Sequence, residues 1–389
     1  YVGTVNYTYG ELFNEINAKT GGIFFGIQVF GNAKDNRITT HMMGIKAKAL
    51  YKDLPFVFRM IREILCTSKL DDEKRLYEII AKMKSRMQMS MVSAGHSTAV
   101  NRALSYFSEN SYFQEKIAGI DFYNLIDELE KNFQERKAEI IDNLKELMEL
   151  VFRRENLVVS YTADQEGYGY LEKEVEGLKE VLWKGELEDA QLNPAFENKN
   201  EGFQTSGQVQ YVAVAGNFAE AGYEYTGALR ILKVMLSYEY LWTNIRVKGG
   251  AYGCMSGFRR TGDGFLVSYR DPHLKNTLEV FQKTGDFICS FVADEREMTK
   301  YIIGTISEID APLTPSAKGS MSLNAWFSGI TREDMEKERQ EILDAQPEDI
   351  RNLAGIVDTI VDQNRICVIG SEEKLQQDKE VFKEIKHLL

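Results

Sequence analysis

Apolar and polar positions along this chain follow two periods, one near 3.6 and one near 2. Residues 9–18 are spaced as an amphipathic helix that stops at Thr20-Gly21-Gly22. The apolar run at 23–30 then predicts a strand, Gly31-Asn32 and Lys34-Asp35-Asn36 a turn, and 38–50 a second strand. Asp53, with Pro55 just behind it, predicts a helix start. A carboxylate there accepts from the free N–H groups of the first turn, and proline gives up no donor the helix needs. A further helix follows Leu70-Asp71-Asp72-Glu73, and its stripe Leu76, Ile80, Met83, Met87, Met91 is spaced 4, 3, 4 and 4. Methionines so arranged can line a binding groove, but core packing is the plainer reading. Helical spacing continues to about residue 150 and gives way to a predicted strand at 156–161.

Residues 183–206 lose periodicity and hold Pro194 with several Asn, Glu and Gly, the pattern of a linker. Beyond it the pattern predicts a strand at 208–215, a helix at 223–242, strands at 252–259 and 265–270, and a helix at 274–291. Helices then fill 294–361, and a closing strand spans 365–369. Asp271 suits the cap position of the 274–291 helix and Pro272 its first position.

The halves repeat. Gly21-Gly22 and Gly249-Gly250 lie 228 residues apart, and each follows a helix and precedes a strand pair and then a helix led by Asp and Pro. The closing strands 156–161 and 365–369 match at an offset of 209. The expected fold is therefore α+β. It comprises two tandem repeated domains, 1–182 and 207–389, each a largely antiparallel sheet with helices on one face. Subtracting 228 from the second copy's opening strand and helix lands mostly before Tyr1. The first repeat is thus expected to lack its start, and Tyr1 not to be the native beginning.

Composition narrows the class. With 389 residues and 43% hydrophobic positions the chain has material for buried cores, and no run of ~18 apolar residues predicts a membrane span. Lys plus Arg total 47 against 59 for Asp plus Glu, a formal charge of −12 with no basic run, so nucleic-acid binding is not expected. Cys66, Cys254, Cys289 and Cys367 form no CxxC pair, which speaks for a reducing compartment and against a cysteine zinc site or disulfide scaffold. The expected location is the cytoplasm, or an organelle matrix in a eukaryote. His41, His96, His273 and His387 are equally scattered; no HxxEH or HxxxH occurs, so no metal site is expected in this chain. His96, after Ser93-Ala94-Gly95, reads as a capping or packing residue, and His273 as exposed in a first helical turn. Gly262-Asp263-Gly264 reads as a hairpin turn. No phosphate-binding or nucleophile-elbow motif lies in a suitable setting.

One segment concentrates chemistry. In 241–253, Arg246 at a helix end and Tyr252 at a strand start flank Gly249-Gly250, whose backbone turns sharply. A guanidinium and a phenol converging there are two donors for a carbonyl or an oxyanion. Spacing alone favours a plainer reading: a helix-to-strand turn, Arg246 paired with a surface carboxylate, and Tyr252 half-buried in the sheet.

The run Lys248-Gly249-Gly250-Ala251-Tyr252-Gly253 after Tyr240-Leu241-Trp242 resembles the presequence-protease subfamily of the pitrilysin/insulinase zinc metallopeptidases. So do Ser268-Tyr269-Arg270-Asp271-Pro272, Gly3-Thr4 with Tyr7 and Tyr9, Thr20-Gly21-Gly22, Gly95-His96 and Gly119-Ile120-Asp121-Phe122-Tyr123. These matches span nearly the whole chain and correspond to the C-terminal half of such enzymes. The resemblance implies a clamshell of two halves, each with two similar α+β domains, around a chamber for unstructured oligopeptides. In that family zinc sits in the N-terminal half on an inverted HxxEH motif, whose Glu activates the attacking water. The C-terminal half contributes an Arg and a Tyr beside the scissile bond; they map onto Arg246 and Tyr252. The resemblance therefore implies a zinc-free half of an oligopeptide-degrading metallopeptidase, inactive alone and partnered by its zinc-bearing N-terminal half. A stand-alone inactive homologue that binds peptides or supports an active partner is the alternative. A metal site built from the scattered histidines is a remote third.

Overall fold

The computed structural model describes residues 2–35, 37–185, 187 and 194–389. Part of the expected linker therefore lies outside the described residues. The first half runs α1 (Tyr9–Lys19), β1 (Ile23–Gly31), β2 (Thr39–Ala47), α2 (Leu54–Thr67), α3 (Glu73–Ser93), α4 (Gly95–Leu104), α5 (Glu109–Ala118), α6 (Ile120–Lys131), α7 (Phe133–Val151) and α8 (Gln165–Lys179). The second runs β3 (Glu201–Thr205), β4 (Tyr211–Asn217), α9 (Ala228–Tyr238), β5 (Gly253–Phe258), β6 (Asp263–Tyr269) and α10 (Lys275–Gln282). It continues with α11 (Thr284–Cys289), α12 (Glu295–Ile309), α13 (Pro315–Phe327), α14 (Arg332–Leu343), α15 (Pro347–Arg351), α16 (Ala354–Asp362), β7 (Arg365–Ser371), α17 (Glu372–Gln377) and β8 (Glu384–His387).

The α+β class is as expected, but the two halves are unequal. β1 and β2 pair antiparallel as a two-stranded ribbon, whereas the second half builds a six-stranded sheet in the order β5-β6-β4-β7-β3-β8. β5, β6, β4 and β7 are antiparallel to one another in turn; β3 joins β7 and β8 in parallel. β3 falls inside the stretch read as linker.

The sheet carries helices on both faces, not one. Along β4, Val212 and Val214 join the core beneath α9 and α16, with Leu232, Met235, Val357 and Ile360. The alternate residues Tyr211, Ala213 and Ala215 face the other way, against Ala99 and Ala103 of α4 and Tyr123 of α6. Side chains alternate across a strand, so a strand covered twice is apolar throughout, and every residue of β4 is buried. Ala99 and Ala103, four apart on one face of α4, turn small side chains to the equally small Ala213 and Ala215. The first half's helices thus serve as the second half's outer layer.

A buried charge network joins the same layers. Arg102 of α4 donates to Glu201 of β3 at 2.6 and 2.9 Å, to Glu115 at 3.0 Å and to Asp121 at 2.9 Å. Tyr106 and Lys386 also donate to Glu201.

Four local expectations differ. Residues 156–161 form no strand, since no neighbouring strand offers them a ladder; Leu157 and Tyr161 instead pack on the core of α1, α2 and α8. The helix expected at 274–291 starts at Lys275 and breaks into α10 and α11. Asp271 is no cap: its carboxylate is buried and accepts from Thr277 Oγ1 at 2.6 Å and His273 N at 2.9 Å, which leaves His273 half-buried ahead of the helix. The β5–β6 turn closes one step early, with Asp263 and Gly264 already in β6. The methionine stripe of α3 is largely core, with Leu76, Ile80 and Met91 buried and Met83 at the surface.

Candidate functional site

The helix expected over 223–242 ends at Tyr238, and the chain then widens into a π-helical segment, Trp242–Lys248. Such segments are rare and gather at functional sites. Here the widened turn stacks residues four apart: the Arg246 guanidinium lies 4.0 Å from the Trp242 ring centroid. The chain then reverses, with Gly250 N donating to the Arg246 carbonyl and Ala251 N to that of Ile245, both at 3.0 Å. Gly250 sits at φ +79°, which a side chain resists, and a Cβ on Gly249 would fall 2.6 Å from the Ile245 oxygen. Tyr252 N next donates to Tyr269 O at 3.0 Å, hooking the residue onto the end of β6. This returns the Tyr252 ring to 5.4 Å from the Arg246 guanidinium.

Arg246 and Tyr252 are therefore together. No carboxylate pairs with Arg246 among the described residues, so the plainer reading of a surface ion pair is not what the chain does. Two aromatic faces hold the cation, and its N–H edge stays available to donate. Tyr252 is 65% exposed and is also not half-buried in the sheet. Beneath them Cys254 is buried, and burial pushes its thiol up to about 12 against the pull of Arg246. It is an inert neighbour, not a nucleophile.

The aromatic surface continues. Tyr252 meets Tyr269 edge to face at 5.9 Å, and Tyr269 meets Tyr211 at 5.7 Å and His96 at 4.9 Å. His96 opens α4, so the first half reaches this site too. Gly95 permits the approach, since a Cβ there would fall 2.4 Å from the Tyr211 ring. Burial holds the His96 imidazole below its ordinary pKa, and its Nδ1 has no partner, in line with a packing residue that is neutral at pH 7. Spacing does not single out Trp242, Tyr269, Arg270 or Tyr211. Tyr269 and Arg270 carry one sequence signal, the motif Ser268–Pro272, and Trp242 another, Tyr240-Leu241-Trp242; no role attaches to either, and Tyr211 lies in no motif.

The comparisons with known proteins cover the chain in two pieces. The family model for the associated domain of subfamily C of the M16 peptidases matches residues 1–129, and "PreP C-terminal domain" matches 200–372. The chain belongs to the presequence-protease branch of the M16 peptidases. It corresponds to the C-terminal half of such proteins. It is 39% identical to Protein HypA of Clostridium perfringens, over 100% of this chain and 40% of that protein. It is 28% identical to presequence protease 1, chloroplastic/mitochondrial, of Arabidopsis thaliana, over 100% of this chain and 36% of that protein. The chain thus spans about two fifths of these curated relatives. Among solved structures, the peptidase M16 inactive domain from Pseudomonas fluorescens shares the fold at a TM-score of 0.58 and 12% identity, over 95% of this chain and 85% of that one. Pitrilysin does so at 0.57 and 15%, over 92% and 36%.

Zinc, which this M16 family implies, does not fit the donors present here. His41 is stacked on Phe113 at 3.7 Å, His96 is packed on Tyr269, His273 precedes α10 and His387 ends β8, four separate places. Among the described residues no three or more His, Cys, Asp or Glu converge to hold a metal ion. Among them, too, no helix is long and apolar enough to cross a membrane.

Proposed function

We propose that this presequence-protease-type chain is the zinc-free half of an oligopeptide-degrading metallopeptidase. It walls half of a chamber for unstructured peptides and presents Arg246 and Tyr252 to the substrate near the scissile bond. The observation that carries the reading is the Arg246 guanidinium, paired with no carboxylate among the described residues and held between Trp242 and Tyr252 with its N–H edge open. In an acidic protein a cation left without a carboxylate but fixed by two rings is placed to meet an anion that forms elsewhere. When the carbonyl carbon is attacked, charge gathers on its oxygen, and a guanidinium and a phenol already in position stabilise it without reorganising. Zinc and the attacking water belong, in this reading, to the N-terminal half, and no step here passes through them. The chain alone is inactive.

The test is peptide hydrolysis by the polypeptide that joins this chain to its zinc-bearing half. Removing one oxyanion donor typically costs ~2.7–4 kcal/mol, about a hundred- to thousand-fold, so even a partial share of that role means that Arg246→Ala or Tyr252→Phe should lower kcat/KM by about ten-fold or more. Near-unchanged activity in both variants removes the role. The alternative, a stand-alone inactive homologue, is separated by the mass of the native polypeptide, as argued below.

A further inference from the structure

The motif residue that the proposed function does not use is Arg270. It sits at φ +49°, in the left-handed region that non-glycine residues enter at a cost. The turn separates two neighbours in sequence. Asp271 is pinned inward by backbone bonds to Gln210 in both directions, at 2.7 and 2.8 Å, and its carboxylate is spent on Thr277 and His273. Arg270 is turned out to solvent, with its guanidinium 5.5 Å from the Tyr269 ring centroid and beside the Tyr211 hydroxyl. That hydroxyl donates to the Val92 carbonyl at 3.2 Å, which leaves its lone pairs free to accept. No carboxylate pairs with Arg270 among the described residues. Two unneutralised guanidinium groups, Arg246 and Arg270, therefore flank one edge-to-face tyrosine pair, Tyr252 and Tyr269. The backbone strain at Arg270 serves no ion pair among the described residues.

We propose that Arg270, held over Tyr269 beside the Tyr211 hydroxyl, is a carboxylate-binding position for the peptide whose scissile carbonyl lies at Arg246 and Tyr252. The inference rests on the peptide-contact reading of that pair. An extended peptide advances ~3.3–3.6 Å per residue, so a carboxylate a few residues from the carbonyl reaches across the two rings. A planar guanidinium meets a carboxylate through two parallel hydrogen bonds, which sets register as well as affinity. The carboxylate is either the peptide's C-terminus or an Asp or Glu side chain. Overall charge works against both, since the chain carries −12 and repels acidic peptides at long range. A preference for them has to arise locally.

The test is equilibrium binding of the 389-residue chain to three fluorescent, unstructured peptides of one sequence: a free acid without Asp or Glu, its C-terminal amide, and the amide with a single Glu. At least one carboxylate peptide should bind about ten-fold tighter than the plain amide, the yield expected of a charge-assisted bond. Which one identifies the source. In Arg270→Asn that ratio should fall to near one, and in Arg270→Lys it should survive in part. Asparagine tolerates positive φ, so the charge is removed without adding strain, and Arg270→Gly is a second such variant. A wild-type ratio near one, or a ratio that persists in both uncharged variants, overturns the proposal. If none of the peptides binds the wild type, or if binding ignores Arg246→Ala, the contact reading of Arg246 and Tyr252 fails as well.

Discussion

Arg246 stacks on Trp242 at 4.0 Å across a single widened turn, and this contact aims the guanidinium at Tyr252. A regular α-helical turn places its residues differently, so the π-helical geometry and the aim of the cation come together. Trp242→Ala should therefore act through Arg246. A cation–π contact contributes about 0.5–2 kcal/mol, so kcat/KM of the complete enzyme should fall between about two- and thirty-fold. Trp242→Phe should restore most of it, and adding Trp242→Ala to Arg246→Ala should cost little more. Full additivity in that double-mutant cycle would show the ring acts by another route.

Gly250 offers a stability test of the same turn. At φ +79° an alanine is strained by roughly 1–2 kcal/mol, and its Cβ has room, meeting only Pro272 at 3.7 Å. Gly250→Ala should lower the unfolding free energy by that amount, and Gly250→Asn by less, as denaturation midpoints would show. Equal losses in the two would mean that the backbone angle is not the cause.

The Arg102 network predicts a pH signature. Burial raises Glu201 and Asp121, but for Glu201 the bonds to Arg102 and Lys386, and for Asp121 those to Lys116 and Arg102, outweigh it and hold both below their ordinary values. Burial dominates at Glu115 and holds it above. A depressed carboxylate contributes stability above its unfolded pKa, and that stability is lost as pH falls through its folded one. The wild type should thus weaken on acidification below the ordinary carboxylate range. Arg102→Met takes from buried Glu115 its only cation among the described residues, and from Glu201, which keeps Lys386, the main one, and should cost ~3–5 kcal/mol at neutral pH. Without the guanidinium Glu201 rises, so the variant should regain part of that deficit near about pH 4.5. Urea midpoints at the two pH values decide it; a deficit that does not shrink in acid refutes the account.

Thiol labelling tests the burial pattern. Cys66 and Cys289 are exposed, while Cys254 and Cys367 are buried with their thiols pushed up by burial. Under native conditions a thiol reagent should modify the first pair and reach the second only on unfolding. Early labelling of Cys254 would mean that the Arg246–Tyr252 surface opens readily.

The native polypeptide, detected in its source cells with an antibody raised against this chain, should have at least twice the chain's 44.4 kDa. A band near 44 kDa would turn the reading to the stand-alone inactive homologue.

Local chemistry is legible in the sequence wherever neighbours along the chain decide the outcome. A helix follows Asp72 as the pattern predicts, the Gly249-Gly250 reversal forms, and the alternating and helical patterns yield the α+β class, because φ preference and periodicity are settled within a few residues. Asp53 does sit at the start of α2, but its side chain makes no capping bond. Arg246 and Tyr252, six apart, are brought to one turn by the same local reading, but it is the family resemblance, not spacing, that singles them out. The tertiary structure decided what needs a distant partner. Residues 156–161 look like a strand but have no neighbour to pair with, and β3 looks like linker but lies between β7 and β8. The continuous burial of β4 depends on α4, more than a hundred residues earlier, covering its second face. Asp271 carries a capping side chain, yet the bond to Gln210 draws it into the core and sends Arg270 outward. The gathering of His96, Tyr211, Tyr269 and Tyr252 into one aromatic cluster has no trace in spacing, since those contacts exist only where two halves of the chain pack on one sheet.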